Sequence, residues 1–166
     1  EWRYEVSEPE RVLEYLVRLF RSPIFLVDRF SPAQIDQGFW FIPGANGFMG
    51  LILHPGVAWD QRRTAIHSIV DLFELLFAKV NLPTAGYMWW DSLITYCAWD
   101  GGDLIADKVV LKEIVAVIAR RSAHPSAEVR RSCGHGVEHL VEIEKTENDE
   151  ALAAFNLRKT RALEDQ

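Results

Sequence analysis

The chain has 166 residues, 49 % of them apolar and 25 % charged, with 18 basic against 24 acidic side chains for a net charge of −6. That length suits one domain spanning 1–166 with a full core, and the acidic balance argues against a general phosphate-backbone binder, whose affinity comes from clustered Lys and Arg. Two cysteines, Cys97 and Cys133, make no disulfide framework, and no signal peptide or apolar run of 18 residues is present, so a cytoplasmic chain with no membrane partner is expected. The sequence opens with Glu1 rather than Met, so the native start is expected to lie upstream.

Ser7-Glu8-Pro9-Glu10 has the form of a capping box with Pro in the first turn, and apolar residues from Val12 to Phe20 recur at helical spacing. This predicts a helix over 8–21, stopped by Ser22-Pro23. The apolar run at 23–30 reads as a short helix. Ser31-Pro32-Ala33-Gln34 is a second capping box, opening a helix to about residue 42 that buries Ile35 and Phe39. A glycine-rich turn follows. Gly44, Gly47 and Gly50 lack the preceding strand and the Lys-Ser/Thr close of a phosphate loop, so they read as turn glycines. Residues 48–53 form a short buried helix.

The clearest pattern runs over 59–80, where Ile66, Ile69, Val70, Phe73, Leu76 and Phe77 step by three and four. The helix at 86–98 carries aromatics on two sides and should be sandwiched between neighbours. Asp103 is the expected N-cap of a central helix over 104–121. The next helix spans 124–143, and a last one is expected over 147–161 behind Thr146-Glu147-Asn148-Asp149. The product is an all-α stack of seven to nine helices.

RRSCGHGVEHL at 130–140 lies over RRTAIHSIVDL at 62–72, at an offset of 68. Arg130/Arg62, Arg131/Arg63, His135/His67 and Leu140/Leu72 are identities. A His-Pro pair precedes each copy, His124-Pro125 and His54-Pro55. A recurrence of about 70 residues equals roughly two helical hairpins of the kind that build solenoids. The stretch from Pro125 through Val129-Arg130 to the Val137-x-x-Leu140 close resembles a HEAT repeat over about 20 residues. The resemblance implies a short α-α superhelix that presents a curved surface to a protein or peptide. Gly134 and Gly136 depart from that pattern. Each costs about 1 kcal/mol against Ala in a helix, which close packing must offset.

Four features could carry chemistry. His135-x-x-Glu138-His139 has the form of a zinc-protease motif, and two histidines four apart share a helix face. Asp71 stands where His139 would be in the paired stretch, so a polar face is the ordinary reading, with no metal or cofactor assigned. Asp91 sits mid-helix beside Trp90, either as an ion pair locking helices or as a carboxylate in an aromatic groove. Tryptophan beside aspartate also resembles the HEAT-like alkylpurine DNA glycosylases, but the acidic charge and short chain argue against nucleic acid as a partner. Arg130 and Arg131, with Arg120 and Arg121, flank one loop and could take an acidic peptide or phosphate, although solvated helix ends are the ordinary reading. The expectation is a non-catalytic interaction module whose candidate binding residues are Trp90, Asp91, Arg130, Arg131, His135 and His139. The alternatives are an immunity- or antitoxin-like inhibitor that covers a basic toxin, or an enzyme that is metal-dependent or acts on nucleic acid.

Overall fold

Prolines and capping side chains divide the chain largely where its pattern places them. The computed structural model describes residues 7–44, 47–100, 103–104 and 107–144. Six α-helices are described: α1 (Pro9–Arg21), α2 (Pro32–Phe41), α3 (Trp59–Leu72), α4 (Ala85–Ala98), α5 (Lys108–Arg121) and α6 (Ala127–Glu144). Short 3-10 helices at Pro23–Leu26 and Phe48–Leu53 follow α1 and α2. The protein is all-α in class. The helix expected over 147–161 lies outside the described residues.

Local chemistry explains most helix boundaries. Ser31 and Gln34 make both halves of the capping box at the start of α2. At α1 the Ser7 box is not made: Glu8 is the N-cap, without a side-chain cap bond, and pairs instead with Arg11 at 3.0 Å. The central helix begins at Lys108 rather than residue 104. Its cap is Asp107, which accepts the N–H groups of Val109 and Val110, while Asp103 pairs with Asp100 in a two-residue antiparallel ladder between β1 (Trp99–Asp100) and β2 (Asp103–Leu104). The start of α4 is capped from a distance. The Asp36 carboxylate, on α2, accepts the N–H groups of Thr84 at 3.2 Å and Ala85 at 2.7 Å. A carboxylate there also suits the positive end of the helix dipole.

Each helix packs most closely on the helix two along. α1 lies on α3 and α3 on α5, while α2 lies on α4 and α4 on α6. The helices therefore alternate between two layers. Within a layer, neighbours run in the same direction, because Arg63 meets Glu113 and Glu74 meets Arg121 between α3 and α5, and Tyr87 meets His135 and Asp91 meets His139 between α4 and α6. The apolar stripes meet between the layers. Trp89 lies at the centre, fully buried, with Phe20 and Phe77 edge-on at 5.6 Å each and Phe39 tilted at 6.4 Å. Such side chains each contribute about 1.5–3 kcal/mol by burial, and edge-to-face pairs add a further ~0.5–1.5 kcal/mol. α3 widens into a π turn over Phe73–Phe77, where the Ala78 N–H donates to the Phe73 carbonyl.

The two similar stretches fall in opposite layers, 62–72 in α3 and 130–140 in α6. A HEAT repeat is not shown among the described residues. What the stretches share is a local device. Nδ1 of His54 accepts the Gly56 N–H, and Nδ1 of His124 accepts the Ser126 N–H, each at 3.1 Å. The matched arginines then reach back over the preceding turn, Arg62 to the Ile52 carbonyl and Arg130 to those of His124 and Pro125. The echo thus encodes one way of turning into a helix.

Candidate functional site

Gly136 sets the geometry of the α4–α6 seam. A Cβ at this position would lie 2.6 Å from the Trp90 Cβ, so only glycine allows the backbones this close. Gly134 has no such neighbour, and a Cβ there would meet open space. Trp90 is fully buried beneath the seam and stacks on Phe73, with ring centroids 5.2 Å apart at 17°. Trp90 is therefore part of the core under the site and is corrected from binding residue to support.

Above Trp90 the close approach brings together three side chains that the sequence spreads over two helices. Asp91 Oδ1 lies 3.1 Å from His139 Nε2, and both side chains are about three-quarters buried. His135 stands one helical turn before His139, edge-on to it at 4.8 Å. Tyr87 stacks flat on His135, with centroids 4.3 Å apart at 10°. The Arg131 guanidinium covers the Tyr87 ring at 5.2 Å and pairs with Glu128 at 3.0 Å. Asp91, His135 and His139 each offer one ligand atom, and these atoms lie within 4.8 Å of one another. The Thr95 hydroxyl, one turn on, donates to Asp91 Oδ1 at 3.4 Å.

The two histidines differ in how their nitrogens are used. His139 faces Asp91 through Nε2 and Glu142 through Nδ1, the latter at 3.9 Å. Both ring nitrogens of His135 are buried, and neither has a hydrogen-bond partner among the described residues. Its Nδ1 comes no nearer than 3.7 Å to the exposed Glu138 carboxylate, too far for a hydrogen bond. A buried polar group without a partner costs about 1–3 kcal/mol.

Cys133 lies close by on α6 but points into the core with Val129, Val137 and Leu140. Burial pushes the thiols of Cys97 and Cys133 up to about 12, so neither is available as a thiolate. A small cleft lined by Phe73, Phe77, Leu82, Tyr87, Val129 and Arg131 admits about one water molecule, well below the size of a substrate pocket. Arg130 is occupied by the turn carbonyls and lies outside the cluster, as Arg131 does except through its contact with Tyr87.

A second polar cluster joins α3 to α5. Glu113 accepts from Arg63 at 3.0 Å and from His67 Nε2 at 2.5 Å, and Arg120 reaches His67 Nδ1. Guanidinium only donates, so Nδ1 accepts and Nε2 carries the proton. Burial pushes the Glu113 carboxyl up, but the hydrogen bonds from His67 and Arg63, with the Arg63 charge, outweigh it and hold it below the ordinary carboxylate value. Farther along the seam, Glu74 is held low chiefly by its hydrogen bond from His124, with Arg121 adding charge.

No protein-family model, curated protein or solved structure matches this chain. The case for function therefore rests on its own residues.

Proposed function

We propose that this chain is a non-catalytic helical module that binds another protein. The observation that carries the reading is the distribution of exposed apolar side chains. Of the nine large ones found exposed among the described residues, seven lie between Ile24 and Phe48. Ile24, Phe25, Val27 and Phe30 surround the link from α1 to α2. Trp40, Phe41 and Phe48 stand at the far end of α2, where Phe41 and Phe48 meet edge-on at 6.1 Å. Large apolar and aromatic side chains left exposed at both ends of one helix favour protein-binding surface over an ordinary solvated face. The alternation of helices between two layers, as in solenoid proteins that present such surfaces, also supports the reading, as does the resemblance of residues 125–140 to a HEAT repeat. Among the described residues, no helix is long and apolar enough to cross a membrane.

The test is comparative affinity capture, quantified by mass spectrometry. The probes are the unaltered chain and a Trp40→Ser, Phe48→Ser double variant. Both positions are exposed, so the variant is expected to keep its melting temperature within a few degrees while losing the proteins captured by the unaltered chain. A partner set indifferent to the two substitutions would defeat the reading.

A further inference from the structure

We infer that Asp91, His135 and His139 form a binding site for a divalent transition-metal ion of the zinc class. One carboxylate oxygen and two imidazole nitrogens are a common three-ligand set for such an ion. The inference goes beyond partner binding and does not depend on it.

Four observations converge. The three ligand atoms already lie within 4.8 Å of one another, and one pair is at 3.1 Å. Ligands about 2.0–2.1 Å from a tetrahedral ion stand roughly 3.4 Å apart, so side-chain movements of up to about 1.4 Å close the set. The second observation is the want of a partner at His135, whose buried nitrogens make no hydrogen bond among the described residues. An ion would satisfy one of them directly.

Third, each histidine has a glutamate three residues on. His135 Nδ1 faces Glu138 at 3.7 Å and His139 Nδ1 faces Glu142 at 3.9 Å. Metal-bound imidazoles commonly donate their second N–H to such a carboxylate, which fixes the tautomer and raises ligand basicity. The arrangement leaves both Nε2 atoms for the ion. On binding, the proton that His139 Nε2 shares with Asp91 moves to solvent, or to Nδ1, where it faces Glu142.

Fourth, the frame is rigid. Tyr87 holds the His135 ring flat, and the Gly136–Trp90 contact fixes the spacing of the two helices. Three protein ligands leave a fourth tetrahedral position for water or for a donor atom of a bound molecule.

Zinc chloride is the probe, added to chelator-treated protein and followed by calorimetry and by the imidazole nitrogen resonances of the unaltered chain. One equivalent is expected to saturate the protein. His135 and His139 should shift, while His67 and His124, whose nitrogens are both engaged, and His54, whose Nδ1 is engaged, stay in place. Cobalt(II) in the same site should give the intense visible bands of tetrahedral coordination. Asp91→Asn, His135→Ala and His139→Gln should each weaken binding at least about tenfold. Failure of zinc to bind saturably, or shifts confined to other histidines, would overturn the site, as would affinity retained in all three variants. The resonance assignment decides the matter on the unaltered protein even if a variant does not fold.

Discussion

His67 and His135 occupy matching places in two similar stretches of sequence, yet the two seams treat them oppositely. On α3, the imidazole is enclosed by Glu113 and Arg120 and both nitrogens are used. On α6, the imidazole lies against Tyr87 and neither nitrogen makes a hydrogen bond among the described residues. One position later by a turn, α3 has Asp71, 3.7 Å from Arg21, where α6 has His139 turned toward Asp91. The first seam is a closed ionic lock. The second leaves a buried imidazole without a hydrogen-bond partner among the described residues. A helix register decides where a side chain stands; only the neighbouring helix decides whether it is satisfied.

The strongest way to break the second seam is to widen it. Gly136→Ala forces a methyl group against Trp90 and is expected to cost about 2–3 kcal/mol, read as a lower denaturant midpoint. Exchanging the two histidines for phenylalanine tests the contrast directly. His67→Phe strips partners from Glu113 and Arg120 and should lose about 1–3 kcal/mol. His135→Phe keeps a flat ring on Tyr87 and removes two unsatisfied nitrogens, so the metal-free protein should be unchanged or more stable. Equal losses in both variants would erase the distinction between the seams.

Acid should reach the first seam through Glu113. Its folded value lies below the ordinary 4.5, so the ionised carboxylate stabilises the fold above that value. This contribution is lost as the pH falls from about 4.5 through the lower folded value. The unaltered chain should therefore melt higher than Glu113→Gln at pH 7, and the two should converge in acid. The smallest effect has the opposite sign. Gly134→Ala meets open space and should stabilise α6 by about 0.5–1 kcal/mol in thermal melts.

The legible parts of this molecule are those set within a few residues. Ser31 and Gln34 announce the start of α2, and His135 with His139 announce a shared face. The cap of α5 was misplaced because two aspartates, Asp103 and Asp107, compete for it. The choice falls to Asp107 because residues 103–104 are already paired with residues 99–100. The distant cap from Asp36 to α4 has no local signal. The site itself was half legible. Asp91 and the histidine pair were each visible as candidates, but their meeting depends on Gly136 admitting α6 onto Trp90, a contact across 46 residues of chain. The same contact explains why Trp90, read as a groove residue, is core.

The π turn after α3 carries a residue more than a regular helix needs for the same rise. Each residue swings the side-chain direction by about 100°, so this surplus changes the aim of everything beyond it. Phe73 is left facing Trp90 while Phe77 turns to Phe39 and Trp89. One helix thereby serves both tryptophans of α4, and removing a single residue there would restore the regular helix at the expense of one of them.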